Sequence, residues 1–367
     1  MKTLHIFLLN ALVKNLILLT IGIALLTHSC TLKNYEEHDV SFSNPDDNVR
    51  LSATLSVPKS DTLLPAVVLV HGSGAHERDL VMGNHKIFKT MAEYLASHGI
   101  AVLRFDKRGC GKSGGIYAPF DLESFSSDAL AGIEFLRKQK AIDPSKIGAI
   151  GLSQGGIITP IMAVKSENVK FIIMMAGLGV EAKDALHASQ LAITKAAGAS
   201  ESRLEEVSRY SLHLWKILVK KDITDQERIQ GIGLLKDIWS SIDEESRQDF
   251  GFLDQNASYF FNELYRAEAM LEFYNYNPRE TLLKVKCPTL VLNGDKDVQV
   301  VADTNLPAIE DALENGICPD YATLKLKNHN HIFQKCKTGK ISEYKYIDHA
   351  ISQESMNIIV DWIFKVN

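Results

Sequence analysis

The chain has 367 residues, of which 46% are hydrophobic and 23% are charged. This composition is typical of a globular protein with enough apolar material for a large core. The 40 basic and 45 acidic residues give a net charge of −5, and the chain has no long basic run. Nucleic acid is therefore not expected as a partner. The length suits one large domain with an insertion, or two domains.

The first 29 residues differ in composition from the rest of the chain. Residues 15–26 form an apolar run of 12 residues, which is short for a membrane span and typical of a signal-peptide core. The following Thr27-His28-Ser29-Cys30 resembles a bacterial lipoprotein cleavage site, with Thr27 in a place usually taken by leucine. We expect residues 1–29 to be a signal peptide, Cys30 to be lipidated and residues 30–38 to be a tether. The protein would then be exported and attached to a membrane, in the periplasm or at the outer membrane; the alternative is an uncleaved N-terminal anchor.

The next segments change from alternating to solid apolar patterns. In residues 39–43 and 50–57 apolar and polar side chains alternate, which predicts two antiparallel strands around a turn at 44–48. Solid apolar runs predict strands buried on both faces at 66–70, 101–105, 147–150, 171–175 and 289–292. Amphipathic helices are predicted at 88–97 and 124–138. This alternation predicts an α/β protein with a mostly parallel central sheet.

The β-α alternation stops between residues 180 and 283. Ser202 and Glu205 have the spacing of a capping box, and further helices are predicted near 225–242 and 257–273. We interpret this segment as a helical cap inserted between core segments 39–179 and 284–367. Its aromatic residues could line an acyl or aryl pocket or form the cap's own core: Trp215, Trp239, Tyr259, Phe260, Phe261 and Tyr265.

The pentapeptide at residues 151–155 reads G-L-S-Q-G. An apolar strand at 146–150 precedes it, and a helical run follows from residue 156. A serine on such a sharp strand-to-helix turn has an exposed hydroxyl, and the glycines leave room for neighbouring backbone. Ser153 is therefore the candidate nucleophile.

A second glycine-containing loop follows the strand at residues 67–70. Residues 71–74 read H-G-S-G, and such a loop can turn a backbone N–H toward the nucleophile. We expect the N–H groups of Ser73 and Gln154 to form an oxyanion hole. The alternative is a plain glycine-rich turn.

The loop at residues 106–113 reads D-K-R-G-C-G-K-S. It lacks the spacing of a phosphate-binding loop. We interpret it as structural, with Asp106 and the glycines holding a tight loop beside the site.

Two aspartates follow the strand at residues 289–292. Asp297 is favoured as the residue that orients a catalytic histidine, because it lies further into the loop. Asp295 is then a turn-stabilising side chain.

The candidate bases come from residues 328–333, which read N-H-N-H-I-F. His331 is favoured over His329, since the base must lie in a loop that reaches back over the serine. His349 falls in a later helical stretch. The chain order of nucleophile, acid and histidine decides the assignment.

These stretches together resemble the α/β-hydrolase superfamily, and within it a group of bacterial serine esterases. The shared motifs are HGSG at 71–74, D-x-R-G-x-G-x-S at 106–113, G-x-S-x-G-G at 151–156, G-x-x-D-x-x-V at 294–300 and N-H-x-F-Q at 330–334. The resemblance runs from about residue 37 to the end, and Leu152 stands where many members have histidine. It implies the α/β-hydrolase fold, with the cap as its least specific part.

The expected function is hydrolysis of carboxylic esters of small molecules, through Ser153, Asp297 and His331 and an acyl-enzyme intermediate. No metal or organic cofactor is expected. A peptidase or thioesterase could use the same three residues. An acyltransferase and a binding protein with a non-working triad are more remote alternatives.

Four cysteines remain besides Cys30, namely Cys110, Cys287, Cys318 and Cys336. In an exported protein Cys318 and Cys336 could pair and brace the segment before the proposed histidine; four free, buried thiols are equally compatible with the sequence. The absence of C-x-x-C and H-E-x-x-H patterns argues against a metal site.

Overall fold

A computed structural model describes residues 33–240, 261 and 268–367. The predicted signal peptide and Cys30 lie outside these residues. The strands of the described part are β1 (Tyr35–Ser43), β2 (Arg50–Pro58), β3 (Leu64–Val70), β4 (Val81–Met82), β5 (His85–Lys86), β6 (Ala101–Phe105), β7 (Ile142–Leu152), β8 (Ile172–Met175), β9 (Thr289–Gly294) and β10 (Tyr321–Leu326). The helices are α1 (Ile87–Ser97), α2 (Leu122–Arg137), α3 (Gln154–Lys165), α4 (Ala182–Ala196), α5 (Glu201–Leu218), α6 (Asp225–Ser240), α7 (Glu268–Tyr274), α8 (Pro278–Leu282), α9 (Ala302–Glu314) and α10 (Gln353–Val366), with a 3₁₀ helix at Ile341–Tyr346.

Eight strands form one sheet in the order β1-β2-β6-β3-β7-β8-β9-β10. β1 pairs antiparallel with β2, and β2 pairs antiparallel with β6. The remaining neighbours in this order, from β6 through β3 to β10, all pair in parallel. Parallel strands place all their carboxyl ends at one edge of the sheet, and this is where open α/β folds bind ligands. The short strands β4 and β5 form a separate hairpin.

The sheet is buried on both faces by helices. Every residue of β3, β6, β8 and β9 is buried, as the solid apolar runs predict. Apolar side chains of α1 and α10 pack into one core cluster, and those of α2 and α9 pack into the other. The predicted α/β fold with a mostly parallel sheet is therefore confirmed.

Three details differ from the sequence predictions. Residues 35–38, assigned to the tether, pair with β2 as the first part of β1. β10 was not predicted; it is an edge strand with mostly exposed or half-buried side chains, so it lacks the solid apolar run of the inner strands. The predicted capping box at Ser202 is wrong: Ser200 caps α5 by accepting a hydrogen bond from Arg203 N, because the helix already begins at Glu201, three residues after the turn at Gly198.

The segment predicted as a cap, residues 180–283, contains α4 to α8 in its described part. The last of these helices, α8, packs against α3 and α9 of the core. Among the helices of residues 33–240 and 268–367, none is both long enough and apolar enough to span a membrane.

Candidate active site

Ser153 occupies the tight turn between β7 and α3. Its backbone has φ 57° and ψ −117°, a conformation that costs a non-glycine residue about 1–3 kcal/mol and clusters at functional sites. A side chain at Gly151 would place its Cβ 2.0 Å from the carbonyl oxygen of Gly155, and one at Gly155 would lie 2.0 Å from that of Val70. The pentapeptide glycines are thus required by close backbone contacts on both sides of the serine.

Backbone hydrogen bonds tie the ends of the neighbouring strands together at this edge. Ser153 N donates to Met175 O at the end of β8 at 2.8 Å, and Ala176 N donates to Leu292 O of β9 at 2.8 Å. Asp295 N, just after β9, donates to Leu326 O at the end of β10. The loops after β7, β8, β9 and β10 therefore start from one continuous, hydrogen-bonded edge.

The loop after β3 lies directly beside the serine. A Cβ built on Gly72 would be 3.3 Å from Ser153 Cβ and 3.9 Å from Ser153 Oγ. Within the described part of the chain, the backbone N–H groups of Ser73 and Gln154 have no hydrogen-bond partner. Two unpaired donors close to a nucleophile are what an oxyanion hole requires, so this arrangement is compatible with the predicted donors.

The same loop is held from behind by buried polar groups. His71 Nε2 donates to Glu77 O at 3.2 Å, and Gly74 N donates to the Tyr117 hydroxyl at 3.1 Å. His76 Nε2 donates to Ser73 O. Burial holds the pKa of His71 well below its usual range, so this imidazole is neutral and serves as a structural donor.

Asp297 and His331 meet in the loops that follow β9 and β10. His331 Nδ1 lies 2.8 Å from Asp297 Oδ2, and both side chains are buried. Since a carboxylate can only accept, Nδ1 carries a hydrogen, and in the neutral imidazole this leaves the free lone pair on Nε2. Asp297 Oδ1 accepts hydrogen bonds from Gln299 N and Val300 N, both at 2.8 Å, which fixes the carboxylate for the histidine.

The competing candidates have other partners. Asp295 Oδ1 accepts a hydrogen bond from Asn328 N and so stabilises the turn. His329 points its ring at Lys327 O and the Ser352 hydroxyl, and its burial lowers its pKa. His349 Nε2 accepts from Lys335 N. Neither histidine contacts a carboxylate in the described part of the chain.

The loop carrying His331 is built around Asn330. Its Oδ1 accepts from Ile332 N at 3.2 Å and Gln334 N at 2.9 Å, while its Nδ2 donates to Gln334 Oε1. Phe333 has φ 62°, and its carbonyl accepts from Ser352 N, just before α10. This network is buried, so the loop has one defined shape.

The loop at residues 106–113 lies beside the loop after β3. Asp106 accepts hydrogen bonds from both the backbone and the guanidinium of Arg78, and from Lys112 N. The guanidinium of Arg78 lowers the pKa of Asp106 against the opposing effect of its burial. These contacts are in keeping with the structural role predicted for Asp106.

Sequence reasoning missed Lys107 in that loop. Its side chain is only 3% exposed, and its ammonium group contacts both the loop after β3 and the side chain of Gln154. The only signal was its position at the end of an apolar strand, where a lysine must either turn to solvent or find buried acceptors.

The inserted helices contact the loops of this edge. Ser189 Oγ in α4 donates to Val298 O beside Asp297, and Phe273 in α7 stacks on Phe120 with a centroid distance of 4.4 Å. Of the cap aromatics, Trp215 and Phe261 are buried in the core and Trp239 is partly buried. Tyr259, Phe260 and Tyr265 lie outside the described residues.

The cysteines outside the N-terminal segment are free. Cys318 Sγ lies 3.3 Å from Cys287 O, so the neighbour of Cys318 is Cys287 and the suggested pair with Cys336 does not form. In the described residues no cluster of three histidine, cysteine or acidic side chains could hold a metal ion.

The chain resembles several known proteins. The chain is 30% identical to esterase EstD of Thermotoga maritima over 199 residues, which cover 54% of this chain and 45% of that protein. The aligned region thus spans less than half the length of this relative. Esterase PF2001 of Pyrococcus furiosus has a similar structure at 15% identity, with a TM-score of 0.52 over 90% of this chain and 91% of the other.

A hypothetical protein of Pseudomonas aeruginosa, PA2218, is similar with a TM-score of 0.55 at 15% identity, covering 91% of this chain and 94% of the other. At this level of identity such likenesses show the fold, which is that of the α/β hydrolases. The model of the X-Pro dipeptidyl-peptidase (S15) family matches residues 47–332, from the turn before β2 to the loop that carries His331. The chain therefore belongs to this family of α/β hydrolases.

Proposed function

We propose that this protein is a serine hydrolase that cleaves carboxylic ester bonds of small molecules. The observation that carries the proposal is the hydrogen bond from His331 to Asp297 at the sheet edge where Ser153 adopts a strained turn conformation. The partial likeness to an esterase supports ester substrates.

In the proposed reaction, Ser153 Oγ attacks the ester carbonyl and His331 Nε2 takes its proton. Asp297 holds the imidazole tautomer and stabilises the imidazolium. The N–H groups of Ser73 and Gln154 bind the oxyanion. The imidazolium then protonates the departing alkoxide, and an acyl-Ser153 ester remains. A water molecule, deprotonated by His331, attacks this ester and releases the acid.

Hydrolysis of p-nitrophenyl esters from acetate to palmitate by the full chain tests the proposal. Ser153→Ala and His331→Ala are expected to lower kcat by at least about 10⁴-fold, because members of such a triad act as a unit. His349→Ala is the matched control and should keep most of the activity. Near-normal turnover in Ser153→Ala would contradict the assignment.

The description of the family as a dipeptidyl-peptidase makes an amide substrate the second candidate. An X-Pro p-nitroanilide and an acyl thioester belong in the same assay series. Turnover of the anilide or the thioester with kcat/KM above that of every ester would assign a peptidase or a thioesterase that uses the same three residues.

We further propose export and lipid attachment at Cys30, on the apolar run at residues 15–26 and the cysteine that follows it. In a bacterial host, labelled palmitate should enter the wild-type chain and not Cys30→Ser. Equal labelling of both chains, or of neither, would overturn the lipidation.

A further inference from the structure

Lys107 is a buried lysine directly beside the candidate oxyanion hole. It follows β6 in the loop at residues 106–113, and its backbone N–H donates to His76 O. Its ammonium group lies 4.2 Å from the centroid of the Phe125 ring. Burying an ammonium group is unfavourable unless its hydrogens find acceptors, so the partners of Lys107 Nζ indicate why it is there.

The ammonium group has three acceptors, one for each of its hydrogens. Lys107 Nζ donates to Gly72 O at 2.9 Å, to Gly74 O at 3.2 Å and to Gln154 Oε1 at 3.2 Å. The two carbonyls flank Ser73, and the amide belongs to the residue whose N–H is the second proposed oxyanion donor. One charged group therefore connects the two elements that supply the donors.

The bond to Gly72 O also fixes the direction of the Ser73 N–H. These two groups belong to the same planar trans peptide, in which C=O and N–H point in opposite directions. An ammonium group that holds the oxygen on one side therefore aims the N–H to the other side. It also polarises the peptide, which makes the N–H a stronger donor.

We propose that Lys107 is the positioning residue of the oxyanion hole: its ammonium group aims the Ser73 N–H, links it to Gln154 and places a positive charge behind the developing oxyanion. This inference rests on the proposed serine-hydrolase function. It predicts that Lys107 acts mainly on the transition state, where the oxyanion exists, and only weakly on substrate binding.

The electrostatic surroundings make this charge sensitive to pH. Burial lowers the pKa of Lys107 to about 7, and nearby carboxylates are already paired: Asp106 with Arg78, and Asp128 with Arg108. The other titratable groups that face it are His71, His76, Cys110 and Tyr117. Lys107 is charged below this pKa and loses its charge as the pH rises through it, so its contribution should decrease above pH 7.

The test compares the full-length wild type with Lys107→Met, Lys107→Arg and the control Lys112→Met, whose side chain is exposed in the same loop. Lys107→Met is expected to lower kcat about 100-fold, somewhat less than the loss of a whole oxyanion donor, and to change KM less than about threefold. Affinity for an alkyl boronic acid, which mimics the tetrahedral intermediate, should fall by a similar factor. Lys112→Met should match the wild type.

The pH profile provides a readout that does not require Lys107→Met to fold. In the wild type kcat/KM should decline above pH 7 with an apparent pKa of about 7, and in Lys107→Arg this alkaline decline should be absent, because arginine stays charged. A folded Lys107→Met with unchanged kcat and boronate affinity would overturn the proposal. So would an alkaline decline of kcat/KM that is the same in Lys107→Arg as in the wild type, because a group other than Lys107 would then cause it. If the wild type cleaves no ester, thioester or amide, it is the proposed function that fails.

Discussion

The proposed nucleophile and the proposed acid–base pair reach the same edge of the sheet, but they are held there in different ways. Ser153 is placed by backbone: its own left-handed φ, the close approach of Gly155 to Val70 and the bond from Ser153 N to Met175 O. Asp297 and the loop of His331 are placed by side-chain oxygens of Asp297 and Asn330, which accept hydrogen bonds from backbone N–H groups. His331 in turn donates to Asp297.

This difference indicates how each side should fail. At Gly151 and Gly155, on the nucleophile side, there is no space to add an atom, so a single methyl group there should disturb the fold itself. On the acid–base side the geometry depends on individual oxygen atoms, so removing one acceptor should misplace a catalytic group while leaving most of the fold in place.

Asp297→Asn tests the acid–base side at its most sensitive point. The amide can still accept from Gln299 N and Val300 N, but it no longer stabilises the imidazolium or selects the tautomer of His331. We expect kcat to fall by about 10⁴-fold with the thermal unfolding temperature almost unchanged. Asp295→Asn is the matched control, since its carbonyl can still accept from Asn328 N. If Asp295→Asn caused the larger loss of kcat, the assignment of the acid would be reversed.

Gly155→Ala tests the nucleophile side. The new methyl group would lie 2.0 Å from Val70 O, so the turn must open. We expect a loss of about 3 kcal/mol or more in the free energy of unfolding, measured in urea. Gly233→Ala in α6 is the control: no described atom lies within 4 Å of its Cβ, and alanine favours the helix by about 0.8 kcal/mol. If Gly155→Ala and Gly233→Ala were equally stable, the proposed difference between the nucleophile side and the acid–base side would be wrong.

Asn330→Ala should combine a structural and a catalytic effect. It leaves Ile332 N and Gln334 N without their acceptor in a buried loop. We expect about 2 kcal/mol of lost stability and a decrease in kcat, because His331 belongs to the same loop. Asn328→Gly is the control, since the Asn328 side chain is exposed and its φ of 59° suits glycine. An unchanged kcat in Asn330→Ala would mean that this loop does not determine the position of His331.

The buried His71 makes the nucleophile side sensitive to acid. Its pKa is held well below the usual range by burial, whereas in the unfolded chain it takes up a proton near pH 6.5. His71 therefore leaves the free energy of unfolding unchanged above about pH 6.5. Below that pH it lowers the free energy of unfolding, by up to about 1.4 kcal/mol per pH unit for one such histidine. His71→Gln should make the difference in free energy of unfolding between pH 7.5 and pH 5.5 smaller by about 1 kcal/mol. His38→Gln, at an exposed position, should leave that difference as in the wild type.

The sequence allowed the fold to be predicted where residues are buried on both faces or where backbone geometry requires glycine. The solid apolar strands and the turn around Ser153 are of this kind. The prediction failed at β10, whose side chains are half exposed. It also failed at the N-cap of α5, because Ser200 and Ser202 can both cap a helix and only the position of the preceding turn decides between them. Lys107 escaped prediction because its role depends on two loops, after β3 and β7, that the sequence does not bring together.

Ser153, Asp297 and His331 lie far apart along the chain, so the parts of the site are synthesised at different times. Asp297 and His331 are 34 positions apart, and Ser153 lies in the first half of the chain. The loop of His331 is held by Ser352, just before α10. A growing chain can thus form the nucleophile turn well before its general base exists, and such long-range contacts form late in folding. The proposed hydrolysis would begin only after β9, β10 and α10 have docked, and a nascent chain would then be inert toward esters.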